Sequence, residues 1–170
     1  GDKPNIVPKE ASAHWYVRSA TMRTLEPLKE RVLACLQAGA DAAGCTMTHT
    51  WEEPAYADMA DNPTLVDLYT ANAAATGRTL LDPADVPGVV GSTDMGNVSH
   101  LVPSIHPMIA VSPPNVSIHS PDFTAYAASE AGDLAVLDGA KALAMTVADL
   151  WLRPEKLDAA KAEFAAAHAD

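Results

Sequence analysis

Six histidines are spread through the 170 residues, and no two of them form an HxH or HExxH motif or the i, i+4 pair of a helix-borne zinc site. Spacing alone therefore assembles no metal centre. His119 differs from the others in its setting. It follows the apolar-flanked Val116-Ser117-Ile118 and precedes Ser120-Pro121-Asp122-Phe123, a helix start with its cap. A loop between such elements is where α/β enzymes present ligands, and it is also an ordinary place for a histidine satisfied by its neighbours. Gly91-Ser92-Thr93-Asp94, with Gly96 beyond, can turn backbone N–H groups toward an anion; alternatively Gly91 makes a turn and Thr93 or Asp94 caps the next helix. Arg18 can hold a carboxylate through two hydrogen bonds or stand as a solvated edge charge. Asn5 can orient an amide or carboxylate or simply form a turn. His14, His49 and His168 follow alternating or helical patterns without a sequence partner, which suits surface or interface positions.

The elements that would position these groups follow from periodicity. Residues 11–18 alternate, with Ala11, Ala13, Trp15 and Val17 on one face, and predict a half-buried strand. Leu25, Leu28, Val32, Cys35, Leu36 and Gly39 recur at helical spacing between Thr24, read as the cap, and Gly44, read as the C′ residue. Cys45, Met47, His49 and Trp51 alternate with three threonines, so residues 5–51 read as strand, strand, helix, strand. A boundary is expected near residues 54–62. Asn62-Pro63 then opens a helix running to Gly77, and residues 79–104 form a loop rich in proline and glycine with short elements in it. A strand is expected from Ile105 to Val111, a helix from Ser120-Pro121, a buried helix from Gly132 to Trp151 and an amphipathic one from Pro154 to His168.

Composition limits what these groups can act on. Eleven basic against twenty-two acidic side chains leave a net charge of −11 and no basic stripe, which excludes nucleic acid as a natural partner. No apolar run approaches the roughly 20 residues of a membrane span. Cys35 and Cys45 form no CxxC pair, which suits a reducing, cytoplasmic setting. The chain opens on Gly1 and a polar stretch, and an upstream part is expected.

Read in order, Asn5-Ile-Val-Pro8, Arg18, Gly91-Ser-Thr-Asp-Met-Gly-Asn-Val-Ser99, Val102-Pro-Ser-Ile-His-Pro107 and Ile118-His-Ser-Pro-Asp-Phe123 resemble the two-zinc aminoacylase/carboxypeptidase family. The nearest resemblance is to its aminobenzoyl-glutamate hydrolase-like branch. The resemblance implies an α/β fold: the end of a zinc-exopeptidase-like catalytic domain, residues 58–170, preceded by the second half of an α+β lid and dimerisation domain, residues 1–57. It implies that His119 is a metal ligand at one of two divalent ions, zinc or else manganese or cobalt, and that Asn5, Arg18, Gly91, Ser92 and Thr93 seat a substrate carboxylate. His106, in the IHP segment, is given a packing or supporting role. The remaining ligands, the general base and the oxyanion-stabilising histidine of the family have no counterpart here, so no catalytic residue is expected within this sequence and the metal site is incomplete. The implied activity is hydrolysis of an amide bond beside a free carboxylate, in dipeptide, N-acyl or aminobenzoyl amino acids, by a homodimer or larger homo-oligomer completed by an N-terminal part of the same protein. The rival reading is a non-catalytic interaction module that keeps the lid's pairing surface.

Overall fold

The computed structural model describes residues 3–81 and 91–169, which fall in two compact units, Gly1–Ala55 and Tyr56–Asp170. The first holds one helix, α1 (Met22–Ala42). Its cap is Thr21, three residues before the expected one: Thr21 Oγ1 accepts from Thr24 N while Thr24 Oγ1 accepts from Thr21 N, a reciprocal capping box. Apolar spacing cannot say which of two threonines one turn apart is the cap. At the other end Gly44 takes φ 66°, Gly44 N donates to Asp41 O and Cys45 N to Ala40 O, the paired bonds of a Schellman turn.

The flanking segments 11–18 and 45–51, expected as strands, form no strand. His14 Nε2 comes within 3.9 Å of Glu52 Oε2 and the Lys29 ammonium lies over Trp51, so side chains meet where no backbone ladder forms. Alternation states which face of a strand wants burial; it does not supply the neighbouring strand, and a pair of strands without a third or a covering helix is marginal in water. No described residue of this unit is fully buried, and Trp15 is 63% exposed.

The second unit is a helical body: α2 (Pro63–Ala75), α3 (Met95–Ser99), α4 (Pro121–Ala127), α5 (Glu130–Leu152) and α6 (Pro154–Ala167). Helix α2 packs on α5 and α6, and α4 and α6 each pack on α5. Asn62 caps α2 as expected, its Oδ1 accepting from Leu65 N, and Gly77 closes it at φ 90°. Ser120 caps α4 through Phe123 N. Glu163 of α6 reaches the first turn of α2, accepting from both Thr64 N and Thr64 Oγ1. Arg78 joins three elements: its Nε meets Asp138 of α5 at 2.8 Å and its Nη1 donates to Ala110 O. Tyr69 and Ala73 of α2, Ala142 of α5 and Ile105 form the apolar centre.

Among the described residues no strand forms, so the sheet half of the expected α/β architecture is not built by them. The expected strand at 105–111 does not form, and among the described residues a single parallel bridge joins Asp61 and Ser104. The reason is that of the first unit: the ladder needs partners these residues do not contain. Helix α5 is present, but its expected burial is not. Gly132, Ala135, Ala142 and Thr146 face α2 and α4, whereas Leu134, Val136, Leu137, Leu143, Val147 and Trp151 are exposed, because helices cover one side of it alone. Part of the expected loop, residues 82–90, lies outside the described residues.

Asp149 of α5 accepts from Asn72 Nδ2 and pairs with Arg153. The Asn72 hydrogen bond, the largest influence, and the Arg153 bond and charge together hold its carboxyl below the ordinary 3.8, against a smaller upward push from burial. A depressed folded-state pKa contributes stability that is present above the unfolded value and lost as pH falls through the folded one. The stability gap between wild type and Asn72→Ala, measured by urea unfolding, should therefore narrow as pH drops from about 5 to about 2; a gap that widens would show that the Asn72–Asp149 bond does not favour the ionised form. Glycine replacements test the packing. A Cβ on Gly96 would stand 1.9 Å from Ala57 O, whereas one on Gly39 meets nothing within 4 Å. Gly96→Ala should cost about 3 kcal/mol, and Gly39→Ala should stabilise α1 by about 0.5–1 kcal/mol; equal urea midpoints for the two would remove the close approach at Gly96.

Candidate functional site

The expected site residues belong to both units. Asn5 lies in an exposed turn in which Ile6 N donates to Lys3 O. Arg18 is exposed, with its guanidinium carbon 5.6 Å from the centre of the Tyr16 ring. The ring of Tyr16 also stacks on His14. Such stacking keeps the planar guanidinium oriented while leaving its N–H groups able to reach a carboxylate.

In the second unit Gly91 and Ser92 are exposed and Thr93 is half-buried. Thr93 Oγ1 accepts from Met95 N, and Thr93 O accepts from Gly96 N, so this residue is tied into the start of α3 and its hydroxyl already serves the backbone. Asp94, not Thr93, occupies the N-cap position of α3, and its side chain makes no capping bond.

His119 is exposed and adopts φ 63°, the one non-glycine positive φ among the described residues. Its side-chain carbon is forced toward the carbonyl by that left-handed backbone, a conformation costing about 1–2 kcal/mol for most L-residues and tolerated somewhat better by histidine. Capped helix α4 begins two residues later, and Ser120 Oγ donates back to Ser117 O, so hydrogen bonds on one side and the helix on the other hold the turn. Backbone strain of this kind collects at functional sites, where surrounding structure maintains it.

Among the described residues no three of His, Cys, Asp and Glu converge to hold a metal. The donors among the described residues do not make up a two-metal centre, and His119 is the one residue to which the family resemblance assigns a ligand role. His106 is exposed; His49 meets Trp51 edge-on. A groove along α2 and α5, lined by Ala75, Thr76, Asp138, Lys141, Ala144 and Met145, contains none of the expected site residues. Cys35 and Cys45 are free and exposed, and no described helix is long and apolar enough to cross a membrane.

Three residues that sequence reasoning passed over lie beside the Gly91 loop. Asn97 Oδ1 accepts from Ala57 N at 3.2 Å, Ser99 Oγ accepts from Ala60 N at 2.9 Å, and His100 Nε2 lies 2.9 Å from Asp58 O. A carbonyl oxygen only accepts, so His100 must carry a proton on Nε2. The Asn-Val-Ser sequence was visible; what it binds, some 40 residues earlier, was not.

No family model matches the chain. It is similar over 165 residues, 96% of its length, to proteins named Xaa-Arg dipeptidase: 37% identical to that of Mus musculus and 34% to that of Homo sapiens. The chain spans 38% of the length of each of these relatives, and they are homologues named for a peptidase activity.

Proposed function

We propose that this chain is the C-terminal part of a metal-dependent amidohydrolase that cleaves dipeptides at the bond next to a free carboxylate. The observation that carries the reading is the similarity to the Xaa-Arg dipeptidases over 165 of the 170 residues. The left-handed backbone of His119 supports it. In this reading Arg18 and Asn5 grip the substrate carboxylate, the backbone of Gly91, Ser92 and Thr93 helps seat it, and His119 supplies one imidazole nitrogen to a metal. Two divalent ions, zinc before manganese or cobalt, supply Lewis acidity and an activated water when bound; their other ligands and the general base lie in residues outside this sequence, and the chain alone is inactive.

A net charge of −11 raises the local concentration of cationic substrates, so dipeptides ending in a basic residue suit this protein better than the doubly anionic aminobenzoyl-glutamate. The exposed apolar side of α5 and the unpaired segments 11–18 and 45–51 are surfaces for the rest of the same protein and for a second copy in a homodimer or larger assembly. The same exposure favours the second reading, a non-catalytic interaction module.

The test uses the complete enzyme carrying this sequence, with metal content and hydrolysis of an Xaa-Arg dipeptide and of aminobenzoyl-glutamate measured side by side. About two metals per subunit and preference for the basic dipeptide are expected; a metal-free, inactive protein that still self-associates would establish the interaction module instead. His119→Ala and His119→Gly should each lose metal and turnover. In urea, however, His119→Gly should exceed His119→Ala in stability by about 1 kcal/mol, and full metal retention in both would remove His119 from the ligand set.

A further inference from the structure

The segment just before α2 has no strand beside it, yet its backbone is gripped residue by residue. Ala57 N donates to Asn97 Oδ1, Asp58 O accepts from His100 Nε2, Ala60 N donates to Ser99 Oγ, and Asn62 N then donates to Ser104 O beside the Asp61–Ser104 bridge. Side chains of α3 and the residue after it thus act as the partner a ladder would otherwise provide. Ser99 is wholly buried, and its hydroxyl proton goes to Gly96 O, which leaves the oxygen's lone pair for Ala60 N. Gly96 allows the approach, since any Cβ there would overlap the Ala57 carbonyl.

Helix α3 has five residues, far below the length at which a helix persists unaided. Its place is therefore set by what it holds. The Gly91–Thr93 loop runs directly into it, joined by Met95 N to Thr93 Oγ1 and Gly96 N to Thr93 O. We infer that Asn97, Ser99 and His100 are positioning residues: by gripping residues 57–60 they hold the loop that seats the substrate carboxylate. The inference rests on the function proposed above for that loop. None of the three touches substrate; a loosened loop would weaken binding of the carboxylate end while leaving the bond-breaking groups in place.

Asn97→Ala removes one grip, and Asn97→Asp keeps an oxygen acceptor for Ala57 N. In the complete enzyme, Asn97→Ala should raise KM for an Xaa-Arg dipeptide about tenfold with kcat changed less than about threefold, and Asn97→Asp should recover most of the loss. In the 170-residue chain, hydrogen exchange of amides 91–95 should quicken in Asn97→Ala and not in Asn97→Asp. Unchanged KM and unchanged loop exchange, with the Ala57 amide alone exposed, would overturn the inference, as would a fall in kcat at constant KM. If the wild-type enzyme cleaves no dipeptide the hydrolase reading fails, and the exchange experiment still decides whether the grip holds the loop.

Discussion

Asn62 is the node on which the second unit depends. Its backbone N–H donates to Ser104 O, its Oδ1 accepts from Leu65 N to start α2, and its Nδ2 donates to Ala160 O in α6. One buried residue thereby joins the segment at Ser104 through its backbone, and the first turn of one helix and the body of another through its side chain. Burial makes these bonds count, because a polar group left unpaired away from water costs about 1–3 kcal/mol. Glu163 reinforces the junction by taking both donors of Thr64. From this corner α2 runs beneath α5, where Asn72 reaches Thr146 and Asp149, so polar contacts hold each end of the helix and Tyr69 and Ala73 fill its middle.

The same requirement explains α3. An extended chain without a ladder must satisfy its backbone some other way, and here amide, hydroxyl and imidazole side chains do it. Among the described residues no buried side-chain nitrogen or oxygen lacks a partner. The arrangement ties the Gly91 loop, through α3, to the segment just before α2. His100 adds a further contact, its ring lying edge-on to His168, which itself stacks on Phe164 and hydrogen-bonds Phe164 O; the end of α6 therefore borders the same cluster.

Apolar surface is distributed unevenly. Helix α5 covers its small residues, Gly132, Ala135 and Ala142, and leaves its large ones outside. Close approach of α2 and α4 explains the first half: a Cβ on Gly132 would meet Ala127 O at 2.4 Å. The second half is a face that hydrophobicity favours covering, by about 25 cal/mol for each Å² removed from water, and the first unit presents Trp15 and Tyr16 in the same condition. Both fit a chain that spans 38% of its relatives.

Local signals were enough for much of the helix map. Asn62-Pro63, Ser120-Pro121, Gly44 and Gly77 mark helix ends because a cap and a left-handed turn act within a few residues of one chain. His119 and the Gly91 loop were likewise singled out by residue type and order, though the φ of 63° at His119 was not legible, since nothing in the surrounding letters demands it. The displaced cap at Thr21, the expected strands that do not form and the exposed side of α5 mark where local reading stops. So do Asn97, Ser99 and His100, whose partners stand 39 to 42 residues away, and Asn62, whose partner in α6 is 98 residues away. Sequence alone determined most helix ends, the apolar faces and which residues are candidates for chemistry. Tertiary structure decided which backbone groups those residues satisfy and which apolar faces are covered, because pairing and burial depend on segments that chain spacing leaves unspecified.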